Sequence, residues 1–485
     1  MAPSANGNGE SAGHGDTVPL LIDGNDVYSD DTFDVVSPGT ANTVHKSSNA
    51  SVTHAQNAID AAAKAFESWN ETTPSERRAI LLKAADIVDK RAAEMKEYMI
   101  KETGADDAWA DVNIHLGKEC LLDCAGRISA IEGRVAAPAD PTRGALIVKE
   151  PYGVILAIAP WNAPYALGFR AAVWAIAAGN TVVFKGSENS PRTLWAIASI
   201  LQEAGLPKGV LNFLTCSPAN APDVTKALVE SPTVKKINFT GSSNVGRIIA
   251  QMAGKSLKPV LLELGGKAPA IVCEDADLDV AAKECVLGAF MYSGQICMST
   301  ERILVHKSIR PALEEKLKEW VELVFSSEAD APKLITGHAV TKNKGLVRDA
   351  VSKGASLVCG NIDVEESTKT RLRPIIVSNV KPEMEIYKLE SFGPTVSVIE
   401  FETEEEALRV ANDTEYGLSS SIFSKDLRKA LRLAKRIETG AVHINKMSVH
   451  DEAALPHGGA KSSGFGRFNT SMDEWLRTKN ITYDI

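Results

Sequence analysis

The stretch "GVILAIAPWN", residues 153–162, decides the architecture. Its residues from Val154 to Ala159 are all apolar, with no polar position alternating among them, so a strand here is buried on both faces. Val and Ile favour a strand over a helix, and Pro160 stops it. A strand covered on both sides belongs to a mostly parallel sheet with helices packed against it. The neighbouring sequence repeats the pattern. Helical stretches separate "GNTVVFKG" (179–186), "GVLNFL" (209–214), "KKINFTG" (235–241) and "PVLLEL" (259–264). The alternation resumes with "RILVH" (302–306), "ASLVCG" (355–360), "TVSVIEF" (395–401) and "SSIFS" (420–424). Two α/β units are expected, meeting near "LELGGK" at 262–267.

Upstream, "PLLIDGNDVY" (19–28) predicts a hairpin turning at Asp23-Gly24. Residues 51–118 carry helical spacing, and Thr73-Pro74-Ser75-Glu76 opens one of those helices. Residues 1–18, rich in Gly, Ser, Asn and Ala, are expected to be a disordered tail with no secretory signal.

Composition narrows the classes. A chain of 485 residues exceeds what one core organises, so at least two domains are expected. The net charge of -9 argues against nucleic acid or an acidic membrane as partner. No apolar run approaches the ~20 residues of a membrane span. Seven cysteines, sparse and odd in number, point to a reducing compartment, the cytoplasm. Cys120 and Cys124 lie one helical turn apart with no further ligand at zinc spacing, so no metal site is expected.

Open parallel sheets bind ligands beyond the carboxyl ends of their strands. Four such loops hold polar groups: Trp161 and Asn162, Lys185 to Glu188, "GSSNVG" from Gly241 through Ser242 to Gly246, and Gly265-Gly266-Lys267. "GSSNVG" follows a strand and opens a helix whose N–H groups suit a phosphate. It is neither the usual dinucleotide fingerprint, because Ser243 occupies the third position, nor a P-loop, because Arg247 replaces lysine. An ordinary glycine turn is the competing reading. Lys185 and Glu188 suit ribose hydroxyls or phosphate; two solvated charges are the alternative. Glu263 closes an apolar strand. Burial there would raise its pKa and suit a general base, whereas pairing with a cation is the alternative. Cys297, in "MYSGQICMST" (291–300), is either a core residue or a nucleophile; its neighbours suggest a loop or a helix start, and a helix start would acidify the thiol. Together these groups assemble one reaction. A thiolate attacks an electrophilic carbon, Asn162 stabilises the oxyanion, a dinucleotide takes hydride, and Glu263 activates water against the thioester.

The ordered motifs "PWN" (160–162), "KGSE" (185–188), "FTGSSNVG" (239–246), "LELGGK" (262–267), "GQIC" (294–297), "ESFGP" (390–394) and "PHGGAKSSGFGR" (456–467) resemble the aldehyde dehydrogenase superfamily. The resemblance runs from about Leu20 to the C-terminus and is nearest to the group acting on vanillin, salicylaldehyde and benzaldehyde. It implies Cys297 as nucleophile, Glu263 as general base, and Asn162 with the Cys297 backbone N–H as oxyanion hole. It further implies Lys185 and Glu188 at the adenosine ribose, Gly241 to Gly246 at the pyrophosphate, Glu390 at the nicotinamide ribose and Phe392 near the ring, with Trp161 also among the cofactor-binding residues. NAD is the expected cofactor, with NADP as the alternative; an aldehyde is the small-molecule partner, and a homodimer or homotetramer the assembly.

The resemblance also divides the chain. Residues 19–130 and 152–263 would form an NAD-binding domain, 264–467 a catalytic domain, and 131–151 with 468–485 the oligomerisation arms. The fold class implied is two open, Rossmann-like α/β domains with a small β bridging arm. Departures occur at Gly186 and at His457, which stands where phenylalanine is frequent, near the substrate mouth. Ala163, Arg170 and His457 are expected to face the substrate, with Arg170 either meeting a phenol or carboxylate or pairing with a protein acid at a helix surface. The rival functions are a coenzyme A-acylating dehydrogenase and a catalytically silent binding protein.

Overall fold

A computed structural model of the chain describes residues 16–326 and 331–485. The strand Val154–Ile158 is buried throughout and sits inside an eight-stranded sheet. Its parallel neighbours are Thr181–Lys185 on one side and Val234–Thr240 on the other, with Leu211–Leu214 and Val260–Glu263 beyond them. The hairpin of Leu20–Ile22 and Asn25–Val27 adds antiparallel at one edge, with Asp23 and Gly24 both in the left-handed region, as a two-residue hairpin turn demands. At the other edge Gly464–Phe465 returns antiparallel beside Leu262 and Glu263. Only glycine fits at 464: its φ is +110°, and a Cβ there would lie 2.0 Å from the Leu262 carbonyl oxygen.

A second, seven-stranded sheet is built around Ala268–Val272, Thr300–His306 and Thr395–Phe401, all parallel. The sequence reading omitted Ala268–Val272 and Ile375–Ser378, both short and entirely buried. Ser356–Cys359, the "ASLVCG" segment, is instead a half-exposed antiparallel edge. Three strands, Arg134–Ala136, Arg143–Pro151 and Leu476–Asp484, form a separate sheet whose last strand is almost wholly exposed. Among the described residues no helix is long and apolar enough to cross a membrane.

The expected tail of residues 1–18 needs a correction at its end. Residues 1–15 lie outside the described part, but Thr17–Val18 pairs in parallel with Lys46 and Ser47. Val18 is buried, so the apolar run "VPLLI" begins inside the fold.

The helices Val52–Trp69, Pro74–Thr103 and Asp107–Arg127 occupy the expected region, and Thr73 with Glu76 forms a reciprocal capping box on the second. That helix ends on a buried carboxylate, Glu102. It accepts from His45 Nε2 at 2.8 Å, from the backbone N–H groups of Arg192 and Thr193 at 2.8 Å each, and from Thr193 Oγ1 at 2.5 Å. Glu102 thus fixes the start of helix Pro191–Glu203, just after the Lys185–Glu188 loop. Glu102→Ala strands these donors and is expected to cost about 3 kcal/mol or more, read as a lower urea midpoint. A midpoint unchanged from wild type would show that water satisfies the donors instead.

Candidate active site

Chain geometry brings the site together at the boundary between the sheets. Glu263 is the last residue of its strand, and Ala268 is the first of the next sheet, so Leu264 to Lys267 carry the chain across. Gly266 allows this loop to lie on the Cys297 loop, since a Cβ would stand 2.1 Å from the Cys297 carbonyl oxygen. Trp161 and Asn162 leave the carboxyl end of Val154–Ile158, and Gly241 and Ser242 that of Val234–Thr240. From the second sheet come the approaches to two strands: Cys297 precedes Thr300–His306, and Glu390 with Phe392 precedes Thr395–Phe401.

Cys297 Sγ lies 3.1 Å from Glu263 Oε1. Two clefts meet at this pair. One, of about 270 Å³, is lined by Trp161, Asn162, Thr240, Gly241, Ser242, Glu263, Cys297, Glu390 and Phe392. The other, of about 220 Å³, shares Asn162, Glu263 and Cys297 and adds Ala163, Arg170 and His457 among largely apolar walls. Asn162 is held on both sides of its chain: its Nδ2 donates to the Gln295 carbonyl at 2.9 Å, and its own carbonyl accepts from Trp109 Nε1 at 2.9 Å.

At this centre the structure chooses between the readings left open. Cys297 lies in a loop and not at a helix start; the preceding 3-10 turn, Met291–Gly294, is broken by left-handed Tyr292 and Ser293. Burial together with the neighbouring Glu263 carboxylate pushes the thiol well above the usual range. Glu263 itself goes the other way from the expected rise. Burial alone would raise its pKa, but His457 and Arg170 overcome that and hold it at about 2. Thr240 Oγ1 adds a donor at 3.3 Å. Arg170 pairs with protein acids, though inside the molecule rather than on a helix surface. Its guanidinium donates to Asp451 Oδ2 at 2.7 Å, approaches Glu263 Oε2 at 3.5 Å and lies 5.3 Å over the Phe468 ring. Two carboxylates thus take its charge, as a buried guanidinium requires.

The larger cleft continues to the ESFGP loop. Phe392 stands edge-on to Trp161, their ring centroids 5.9 Å apart. Glu390 Oε1 accepts from the Gly266 N–H at 2.8 Å, while burial and the nearby Glu301 raise its carboxyl to about 7. Lys185, Glu188 and Gly246 do not line this cleft. Lys185 ends the strand next to Val154–Ile158, Glu188 is half-buried beyond it, and Gly246 packs against Leu264 inside the helix Ser243–Lys255. Among the described residues no group of three or more His, Cys, Asp or Glu side chains is arranged to hold a metal ion.

Residues 27–481 match the model of the aldehyde dehydrogenase family. The chain belongs to that family. It is 43% identical over 475 residues to a vanillin dehydrogenase of Pseudomonas sp. strain HR199, covering 96% of this chain and 97% of the relative. Its fold is similar to a salicylaldehyde dehydrogenase from Pseudomonas putida G7 solved in complex with salicylaldehyde, with a TM-score of 0.92, 39% identity, and 97% and 98% of the two chains covered. An NAD-dependent aldehyde dehydrogenase from Sinorhizobium meliloti aligns with a TM-score of 0.91 at 33% identity over 96% of this chain and 95% of that one.

In this member of the aldehyde dehydrogenase family the sequence reading passed over several residues that shape the site. Asp451 gave no signal, standing among other polar residues in "SVHDEAALPHGG". Glu301 gave little signal either: in "TERILVH" it stands between Thr300 and Arg302, where a charged pair reads as an ordinary strand start. It pairs with the buried Lys267 and accepts from the N–H groups of Ser391 at 2.9 Å and Phe392 at 3.1 Å. Glu301 thereby holds Phe392 at its φ of +49°, an unfavoured value for an aromatic residue. Glu301→Ala leaves Lys267 buried and unpaired and is expected to cost about 3–5 kcal/mol in denaturant unfolding. Glu301→Leu combined with Lys267→Met is expected to recover part of that loss. No recovery in the double variant would show that the N–H contacts, not the ion pair, set the cost.

Proposed function

We propose that this chain oxidises an aromatic aldehyde to its carboxylic acid, with Cys297 as the nucleophile, Glu263 as the base and NAD as the hydride acceptor. The observation that carries this reading is the 3.1 Å contact between the Cys297 thiol and the Glu263 carboxylate where the two clefts join. The raised thiol needs a base at hand, and Glu263, ionised at neutral pH, is the acceptor touching it. Transfer of the thiol proton to Oε1 leaves a thiolate that forms a C–S bond to the aldehyde carbon. The resulting oxyanion is met by Asn162. An amide carries two N–H donors, and the Gln295 carbonyl takes one, which fixes the plane of the amide and leaves the other for the oxyanion.

The larger cleft fits a nicotinamide dinucleotide. Gly241 and Ser242 open a helix towards it, and the Glu390 carboxylate sits so close to Gly265 that a Cβ there would be 2.6 Å from it. When bound, the nicotinamide supplies the acceptor for the hydride leaving the Cys297-bound carbon, which turns the adduct into a thioester. Glu263 then takes a proton from water, whose oxygen attacks the thioester carbon. The C–S bond breaks, and the carboxylic acid departs. At the outer end Lys185 and Glu188 would receive the adenosine ribose, and Glu188 would accept from a 2′-hydroxyl but repel a 2′-phosphate.

The aromatic preference rests on the smaller cleft. Trp109, Leu116, Leu167, Met298 and Val449 give it broad apolar walls, and Ala163 leaves room directly beside Asn162. The similarity to enzymes named for vanillin and salicylaldehyde supports the same class. With Arg170 already paired, preference among the rings follows shape rather than that cation. NADH formation from benzaldehyde, its hydroxylated forms and hexanal tests the reading, each with and without coenzyme A. The aromatic aldehydes are expected to give the higher kcat/KM, NAD to outperform NADP, and coenzyme A to change nothing. Cys297→Ala is expected to abolish activity, whereas Cys273→Ala and Cys285→Ala keep it. A working Cys297→Ala enzyme would remove the covalent route, and turnover that depends on coenzyme A would move the chain to the acylating class.

Glu390 yields a separate pH prediction. Its carboxyl, raised to about 7, is mostly protonated at pH 6 and ionised at pH 8, and only the ionised form accepts from both ribose hydroxyls. NADH affinity measured by fluorescence is expected to strengthen by up to about tenfold over that interval. Glu390→Gln is expected to flatten the dependence; a wild-type affinity independent of pH would detach Glu390 from the ribose.

A further inference from the structure

Resting on the function proposed above, the cluster behind Glu263 says how its proton leaves. Four buried or half-buried side chains close a ring. Arg170 bridges Asp451 and Glu263 on one side. On the other, His457 Nε2 stands 3.3 Å from Glu263 Oε1, and its Nδ1 stands 3.6 Å from Asp451 Oδ1. Oε1 is the same oxygen that faces the Cys297 thiol, so the carboxylate lies between Sγ and the imidazole. His457 Nε2 is buried and makes no hydrogen bond among the described residues, although it sits within ion-pair distance of that oxygen. The ring nitrogen nearest Glu263 is therefore placed against the oxygen that faces the thiol. Other groups around the ring are few: His450, paired with Glu452, stands next to Asp451 on the cleft wall, and the Phe468 backbone exchanges hydrogen bonds with that of His457.

We propose that His457 takes from Glu263 the proton that Glu263 has accepted from Cys297, returning the carboxylate to its ionised form before water attacks the thioester. The need follows from counting protons. Glu263 is used twice in a turnover, first towards the thiol and then towards water. A carboxyl group that still holds the thiol proton cannot serve as the base for water. In the relay the O–H bond on Oε1 breaks and an N–H bond forms at Nε2. The Nδ1 proton then passes to Asp451 or to water in the cleft that Asp451 and His450 line. No electrons move, and one proton leaves per aldehyde oxidised. With His457 cationic, the two carboxylates, the guanidinium and the imidazolium sum to zero charge, so the buried cluster carries the proton without a net excess.

His457 acts through Glu263 in this scheme, so its test needs readouts that a packing role in the cleft wall would leave unmoved. In rapid-mixing experiments His457→Gln is expected to keep the NADH burst, because Glu263 still accepts the thiol proton, while steady-state turnover falls tenfold or more. His457→Ala is expected to behave alike and to regain at least threefold in turnover as imidazole is added. The double variant His457→Ala/Glu263→Gln is expected to show no such rescue. Near-thermal-midpoint agreement of the single variants with wild type confirms that they fold. Turnover of His457→Gln within twofold of wild type would overturn the relay, as would His457→Ala unresponsive to imidazole, or rescue that persists without Glu263. Any of those results with a normal burst leaves the covalent mechanism standing; only activity in Cys297→Ala removes that.

Discussion

A carboxylate with no exposure to water governs this site. Glu263 ends a buried strand, and a bare charge there would cost several kcal/mol. Much of the surrounding structure answers that cost. Arg170 comes from the helix Pro164–Ala177, Thr240 from the adjacent strand, and His457 from the C-terminal segment, each aimed at one of the two carboxylate oxygens. Arg170 in turn needs Asp451, which draws in the loop before His457. The same arrangement that keeps Glu263 ionised turns Oε1, with His457 beside it, towards Cys297. Stability and reactivity are therefore two aspects of one arrangement, and changing any member of the ring alters both.

The second constraint is the crossing between sheets. Parallel sheets offer their carboxyl ends to ligands, and the first sheet does so with Trp161, Asn162, Gly241 and Glu263. The second sheet contributes from the opposite end of its strands, through the turns that enter Thr300–His306 and Thr395–Phe401. Both turns are braced rather than loose. Glu301 clamps the ESFGP turn through backbone N–H groups, and Tyr292, stacked on Trp109 with ring centroids 5.6 Å apart, supports the Cys297 turn. Such bracing holds the two halves of the site in register without a continuous sheet between them.

Much of this was legible in the chain itself. Unbroken apolar runs identified the central strands, because burial on both faces leaves no room for polar alternation. Thr73 to Glu76 and Asp23-Gly24 declared a helix start and a turn through local chemistry. Short strands such as Ala268–Val272, preceded by glycine and lysine and containing a proline, were missed because their pairing comes from distant segments. At the site, residue types announced Cys297, Glu263 and Asn162 as candidates, but their electrostatics depended on partners far away in sequence. Glu263 and Arg170 are 93 residues apart, and Arg170 and Asp451 are 281 apart, so neither the low carboxyl pKa nor the pairing of Arg170 could be read locally. The Cys297 turn likewise takes its shape from left-handed residues that are not glycine, for which sequence offers no reliable sign.

The return of Gly464–Phe465 to the edge of the first sheet has a consequence for biosynthesis. Val260–Glu263 is an open edge until that segment arrives, and His457 and Asp451 reach the ring from the same late part of the chain. A chain that has emerged as far as Glu263 and Cys297 already holds Arg170 but still lacks Asp451 and His457. The carboxylate and the thiol are therefore made before the ring around the carboxylate can close. The edge strand is covered only after the segment through Phe465 has been made and has folded back, so closing the ring and closing the sheet edge are one late event in the folding of the chain.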